Sequence, residues 1–240
     1  MSQEIIITGR WDIKELDSLF LKASLIDKPD ERIAFLSEHF LGISYQGHTL
    51  IGSPENQEVF VINLEAVDCF TYLEYIEAMR LSDSFSAFKK NLKRIRYQGA
   101  AVDYLTRNHF FSDWISYNAD LVKDVTEKTG CGKTSTKKKL LNVQDDGTFY
   151  LPGIEPRVRE IKFIPSSLID DEIIAELNIG DYLGIYTEKP GLDVSHVGIL
   201  IKNAGNIVLR HASSKHKKVI DQDLQKYIMD KPGIVVLRPL

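Results

Sequence analysis

Cys69 is the residue of this chain whose type and position best suit covalent chemistry. It follows Asp68 in the first turn of a helix predicted over residues 66–81, which comes after a strand-like segment at residues 59–64. The N–H groups and the dipole at the start of a helix favour a thiolate, and the same N–H groups can hold an oxyanion. We therefore predict a nucleophile that attacks a carbonyl. The alternative for a lone cysteine is a small buried side chain without a reaction.

Two of the six histidines, His196 and His211, supply the other parts of this chemistry. Each belongs to one of two predicted strands joined by a turn at residues 203–206, and antiparallel pairing would bring their outer ends together. Acyl transfer uses a thiolate, a histidine that takes and returns a proton, and a further polar group that fixes the imidazole tautomer. The alternative is a pair of strand-end histidines in solvent or in capping hydrogen bonds.

Two other chemistries fit the sequence less well. Cys69, His196 and His211 could supply three ligands to zinc, but there is no His-Glu-x-x-His helix and no dense cluster of carboxylates and histidines. The segment at residues 130–134 resembles the end of a phosphate-binding loop, but Glu127 stands where that loop needs its first glycine. We therefore expect no metal and no cofactor.

The elements that must position these residues are predicted as helices first and a sheet later. Amphipathic spacing predicts helices over residues 11–24, 29–40, 66–81, 84–97 and 112–128. Residues 42–52 and the lysine-rich run 133–139 are predicted as loops. Strand patterns follow over residues 181–187, 195–202, 207–211 and 234–238. This order is typical of an α+β fold with an antiparallel sheet, which we predict as one domain over residues 1–240.

Composition excludes several classes of protein. The chain has 240 residues, of which 43% are hydrophobic and 27% charged, and its formal net charge is −4. Such a chain buries a core without disulfides, and it lacks the basic excess of a nucleic-acid binder. No apolar run of about 18 residues predicts a membrane span. Residues 1–10 show no secretory signal, so we expect a cytoplasmic protein if Met1 is the native start, and a periplasmic or cell-envelope protein if an export signal was removed.

Three segments resemble the NlpC-type cysteine peptidases of bacterial cell-wall metabolism. Leu41–Gly47 resembles the loop before the nucleophile, Asp68–Phe70 the start of the nucleophile helix, and Ser195–Ile199 the strand of the base, in the family order. The resemblance implies a papain-like core, in which the nucleophile helix packs on an antiparallel sheet, with extra helices before and between.

More narrowly, the chain is similar to a branch of N-acetylmuramoyl-L-alanine amidase-like proteins, long catalogued as a domain of unknown function. The further matching segments are Arg94–Tyr97, Phe111–Ile115, Gly191–His196 and His211–Ser214. The resemblance implies Cys69 as the nucleophile, His196 as general base and acid, and His211 as the residue that orients it. It also implies cleavage of the amide between N-acetylmuramic acid and L-Ala, with peptidoglycan fragments as the partner.

Two alternatives stay open beside the amidase. In the wider group the residue matching Asp68 helps to hold the free amine of a stem peptide, so an endopeptidase that cuts between D-Glu and the diamino acid also fits. A binding module of the same fold that lost the reaction is the other alternative. The Ser and Gly that usually follow the nucleophile are Phe70 and Thr71 here, which leaves substrate choice open.

Further residues are predicted to contact the substrate. The resemblance implies that the Tyr45 hydroxyl hydrogen-bonds near the thiolate or the oxyanion, and that Ser195 lies beside the base. Aromatic residues between Tyr97 and Asn118, among them Trp114, could form the wall of a pocket, although aromatics at helical spacing are more often core residues. Arg107 could bind a carboxylate of the stem peptide through two hydrogen bonds.

Overall fold

The computed structural model describes residues 3–203 and 206–240. The chain divides into two compact units: unit 1 comprises Met1–Asn108 and Arg210–Asp221, and unit 2 comprises His109–Leu209 and Gln222–Leu240. A division by contacts does not decide what folds independently, so the predicted single domain stays a prediction. The predicted hairpin turn includes residues 204 and 205, which lie outside the described residues.

Both units contain helices and strands. The helices are α1 (Ile13–Ser24), α2 (Pro29–Glu38), α3 (Cys69–Arg80), α4 (Phe85–Arg96), α5 (Phe111–Tyr117), α6 (Thr126–Thr129), α7 (Asp171–Glu176) and α8 (Leu224–Ile228). The strands are β1 (Glu4–Ile7), β2 (Ser44–Tyr45), β3 (Phe60–Asn63), β4 (Ala66–Val67), β5 (Val122–Asp124), β6 (Ser135–Leu141), β7 (Arg157–Pro165), β8 (Tyr182–Tyr186), β9 (Val194–Asn203), β10 (Asn206–Ser213), β11 (Lys218–Asp223) and β12 (Gly233–Pro239). No helix in the described ranges is long and apolar enough to cross a bilayer.

Unit 1 is built around helix α3, which contacts α1, α2 and α4. Its side chains from Thr71 to Arg80 are all buried, including two acids. Glu74 lies 2.7 Å from Arg96 Nε, and Glu77 lies 2.6 Å from Arg80 Nη2. Removing one partner of a buried ion pair costs about 3–5 kcal/mol. These pairs and the apolar contacts hold α3 in place, and they thereby fix Cys69, its first residue.

The sheet of unit 1 has the strand order β4-β2-β11-β10. Strand β2 pairs parallel with β4 and antiparallel with β11, and β1 pairs parallel with β3 in a separate two-stranded sheet. The α+β class predicted from the sequence is confirmed. The strands are not purely antiparallel, however, because β2 and β4 run parallel.

In unit 2 the strand order is β9-β8-β12-β7-β6. Strand β5 lies off this path and pairs with Leu237–Pro239 of β12. The pairs that join β8, β9, β12, β7 and β6 are antiparallel. Apolar side chains from β8, β12 and the short helices α7 and α8 form a common core. Examples without exposed surface are Ile173, Leu183, Leu224 and Val236.

The structure corrects two predicted elements in unit 2. The helix predicted over residues 112–128 is instead α5, β5 and α6. Asn118 ends α5, because its backbone N–H and its side-chain amide both donate to Trp114 O. Val122–Asp124 then pairs with β12 as a strand. The lysine run predicted as a solvated loop lies largely in β6, which pairs with β7 along its whole length. Its lysines are tolerated because β6 is the last strand in the sheet order, and Lys137 and Lys138 are both exposed.

Candidate active site

Cys69 is the first residue of α3, as predicted, and Asp68 is the N-cap of that helix. Cys69 is partly buried and is not in a disulfide. Asp68 Oδ1 accepts hydrogen bonds from the backbone N–H groups of Phe70 at 3.0 Å and Thr71 at 2.7 Å. In return Thr71 Oγ1 accepts from the N–H of Asp68 at 3.0 Å, which completes a capping box. The extended backbone of Asp68 and this reciprocal pair define where the helix begins.

The capping box changes what the first turn of α3 can do. The N–H groups of Phe70 and Thr71 donate to Asp68 Oδ1 and are engaged in the cap, and the oxyanion contact predicted from the helix start stays a prediction. In the described part of the chain, the second oxygen of Asp68, Oδ2, accepts no hydrogen bond. The predicted contact of Asp68 with a substrate amine stays a prediction.

Tyr45 lies beside the nucleophile within unit 1. It pairs in register with Val67, and the next residue, Gln46, donates its N–H to Val67 O at 3.0 Å. Burial raises the pKa of the Tyr45 hydroxyl, and negative charge on Cys69 and Asp68 raises it further. The hydroxyl is therefore close enough to Cys69 to sense its charge, and it is kept in the protonated form that donates a hydrogen bond.

His211 also belongs to unit 1, on strand β10, and only 2% of its surface is exposed. Its neighbour Arg210 binds both carboxylate oxygens of Asp221 on β11, at 2.7 and 2.8 Å. Arg210 Nη1 also donates to Ser37 Oγ at 3.1 Å. This largely buried network fixes the backbone that carries His211, which suits a residue whose predicted role is to orient another group.

His196 lies in unit 2, on β9 opposite Ile185 of β8. The register between β8 and β9 shifts there, so that Tyr186 faces Val194 and Ser195 is the extra residue of a bulge. Ser195 is exposed and its hydroxyl donates to Ile185 O at 3.4 Å. The partly buried His196 ring lies 6.1 Å from the Tyr227 ring, centre to centre. Bulges often aim a side chain next to an active site.

Arg107 is already engaged by a carboxylate of the protein. Its Nη1 lies 3.0 Å from Glu58 Oε1, which also accepts from the Tyr97 hydroxyl at 2.8 Å. Burial raises the pKa of Glu58, while the positive charge of Arg107 opposes this shift. The structure thus gives Arg107 an internal partner where the sequence suggested a stem-peptide carboxylate. Glu58 lies 49 residues earlier in the chain, and no local pattern indicates the pair.

Trp114 has no exposed surface and belongs to the core of unit 2. Its ring stacks on Phe111, with centroids 6.3 Å apart, and meets Tyr182 edge-on at 6.2 Å. The structure therefore favours the core alternative over a substrate-contacting wall for this side chain. The described residues contain no group of three or more His, Cys, Asp and Glu side chains placed to hold a metal ion.

The predicted site residues are distributed over the two units. Unit 1 holds Cys69, Asp68, Tyr45, His211 and Arg107, and it brings Tyr45 and Asp68 next to the cysteine. Unit 2 holds Ser195, His196 and Trp114. The roles of these residues, and the cooperation of His196 with Cys69, stay predictions. Sequence reasoning missed a basic turn of unit 1 at residues 214–217, although the run Lys215–Lys218 is visible in the sequence.

The helices and the mixed sheet define an α+β protein with a cysteine at the start of a buried helix. Residues 35–234 match the model of the family described as N-acetylmuramoyl-L-alanine amidase-like, and the chain belongs to this family. The family assigns it, at that coarser level, an amidase-like function related to peptidoglycan. The resemblance to this branch noted in the sequence is confirmed.

Solved structures agree with the assignment. The chain is similar to an N-acetylmuramoyl-L-alanine amidase from Bacteroides uniformis, with 28% identity and a TM-score of 0.74, over 88% of this chain and 98% of that one. It is also similar in fold to a Legionella pneumophila protein from a domain-of-unknown-function family, with 22% identity and a TM-score of 0.81, over 95% and 94% of the two chains. No curated protein matches the chain.

Proposed function

We propose that this protein is a cysteine-dependent amidase that hydrolyses the amide between the lactyl group of N-acetylmuramic acid and L-Ala in peptidoglycan fragments. The family supports the amidase class, and the amidase from Bacteroides uniformis supports the bond. The observation that carries the thiol mechanism is the position of Cys69, partly exposed at the start of a firmly held helix and beside the Tyr45 hydroxyl.

The reaction proceeds in two steps. The Cys69 thiolate attacks the lactyl carbonyl carbon and gives a tetrahedral oxyanion, which collapses when the C–N bond breaks and the amine of L-Ala leaves with a proton from His196. The remaining thioester is attacked by water, which His196 deprotonates, and the free muramic carboxylate and the thiolate are released. His211 holds the imidazole of His196 in the tautomer that this exchange needs. The reaction uses no cofactor.

The capping box leads us to assign the oxyanion contact to Tyr45. The N–H groups of Phe70 and Thr71 are bonded to Asp68. Tyr45 carries a hydroxyl close to Cys69, and burial keeps that hydroxyl protonated. A neutral donor aimed at developing negative charge stabilises the transition state more than the substrate. The proposal therefore gives Tyr45 a role in kcat.

Mass identification of products from a defined muropeptide tests the function. Wild type is expected to release a free stem peptide that begins with L-Ala, and Cys69→Ala is expected to release none. Cys131→Ser is the matched control, because it alters the other free cysteine, which lies in unit 2. Cleavage retained in Cys69→Ala would reject the thiol mechanism. Products that keep a dipeptide on the sugar would establish the endopeptidase instead, and binding without cleavage would establish the binding module.

A further inference from the structure

A basic turn is attached to the strand that carries Tyr45. Strand β10 ends at Ser213 and β11 begins at Lys218, and the turn residues 214–217 between them are exposed. The N–H of Tyr45 donates to Lys217 O at 2.9 Å, and Lys218 pairs with Ser44. The N–H of His216 donates to Ser213 Oγ at 3.2 Å, which closes the turn on the β10 side. The turn is therefore fixed on both sides, and one side is the strand next to Cys69.

The positive charges of this turn have no acidic partner. Lys215, Lys217 and Lys218 form no ion pair with any acid in the part of the chain that the structure describes, and Asp221 on the same hairpin is bound by Arg210. The Lys217 ammonium lies 5.9 Å from the centre of the Tyr45 ring. Lys217 also has a left-handed backbone, with φ at 58°, which a lysine rarely adopts.

The charge of this turn is opposite in sign to the charge of the carboxylate beside the nucleophile. Asp68 places a carboxylate next to Cys69, so a second carboxylate is repelled there. The helix N–H groups bonded to Asp68 Oδ1 reduce that repulsion without removing it. A free carboxylate of a substrate is repelled by Asp68 and attracted by the lysines. Arg107, the receptor suggested by the sequence, is occupied by Glu58.

We propose that the lysines of the basic turn, Lys215 and Lys217, together with Lys218 at the start of β11, bind free carboxylates of the stem peptide. The enzyme then prefers muropeptides with free carboxyl groups over those with amidated ones. This inference rests on the proposed function, since it concerns the substrate of the same site. It makes the basic turn a determinant of substrate specificity, which acts on binding and leaves the chemical step unchanged.

The expected effect follows from the exposure of the lysines. Exposed ion pairs of this kind change an equilibrium by about 1.5- to 5-fold each. Removing two lysines is therefore expected to raise KM for the free-acid substrate by about 2- to 25-fold, with kcat within about twofold. Salt screens exposed charges over about 10 Å at 0.1 M, so wild-type KM for the acid form is expected to rise with ionic strength.

The test compares Lys215→Gln/Lys218→Gln, which leaves Lys217 on the Tyr45 ring in place, with Lys137→Gln/Lys138→Gln. The control pair removes the same charge from two exposed lysines of β6 in unit 2. Each variant is assayed on one muropeptide with free carboxyl groups and on its amidated counterpart. Only the turn variant is expected to lose the preference for the free acid. Equal KM values of wild type for the two substrates, or an equal loss in the control, would overturn the inference.

Binding measured without turnover separates this inference from the proposed function. Titration of the two muropeptides into Cys69→Ala by calorimetry reports the preference even if no cleavage occurs. Tighter binding of the free acid, weakened when Lys215→Gln/Lys218→Gln is added, would support the basic turn independently of catalysis. Equal affinity for both forms would reject the turn as a carboxylate receptor while leaving the amidase reaction in place.

Discussion

Replacing Tyr45 by phenylalanine removes the hydroxyl that we assign to the oxyanion. Loss of one positioned donor lowers kcat by about 10²–10³-fold when the site is closed to water. Tyr45 is only partly buried, so water can replace part of the lost bond. We therefore expect Tyr45→Phe to lower kcat by about 10- to 100-fold, with KM within about twofold, because the contact forms mainly in the transition state.

The assay is the initial rate of stem-peptide release, combined with thermal unfolding of each variant. The Tyr45 hydroxyl makes no hydrogen bond to any residue that the structure describes, so the melting temperature is expected to change little. Tyr117→Phe is the control, since Tyr117 is half exposed and lies in unit 2. A Tyr45→Phe enzyme with wild-type kcat would refute the oxyanion assignment. An equal fall in kcat for Tyr117→Phe would show that the loss is not specific to the site.

Three further predictions concern reactivity and stability. Iodoacetamide is expected to modify Cys69 at pH values well below about 8.5, where an ordinary thiol loses reactivity. Cys131 is the comparison, since burial raises the pKa of its thiol. A pH profile of Cys69 like that of Cys131 would favour the binding module. Arg96→Met should cost about 3–5 kcal/mol in urea unfolding, because it leaves Glu74 buried without its partner; a loss below about 1 kcal/mol would contradict this. Burial raises the pKa of Asp193, so the folded state keeps a proton that the unfolded chain loses, and stability falls as pH rises from about 4 through the folded pKa. Asp193→Asn should lack this fall, and an unchanged slope would show that Asp193 is not its source.

The first half of the chain is predictable from the sequence because its signals are local. The helices of unit 1 follow from apolar spacing, and the start of α3 follows from Asp68, which caps it. The exact start differs from the predicted one by three residues. Ala66 and Val67 have the apolar character of a helix, but they pair with β2, and this pairing overrides their local preference.

Unit 2 is less predictable because its elements depend on distant partners. Val122–Asp124 continues an apparent helix in sequence, yet it pairs with Leu237–Pro239 at the other end of the chain. The lysines of β6 carry no strand signal of their own and become a strand only opposite β7. Strand pairing between residues far apart is not encoded in a short window of sequence.

The candidate site shows the same division. Cys69 and its helix start are visible in the sequence, because a cap and a cysteine are adjacent there. The partner of Arg107 is not visible, since Glu58 reaches it only through the fold. The proximity of the turn at Lys217 to Tyr45 is likewise a product of strand order, because β11 lies beside β2.

Intact-protein mass spectrometry of the enzyme quenched during turnover tests the central claim most directly. The claim is that Cys69 carries a thioester to the muramic acid part of the substrate. The account predicts a protein adduct with the mass of that acyl group, located by peptide mapping on the peptide that contains Cys69 and absent from Cys69→Ala. An adduct on another residue, or cleavage that survives in Cys69→Ala, would contradict it.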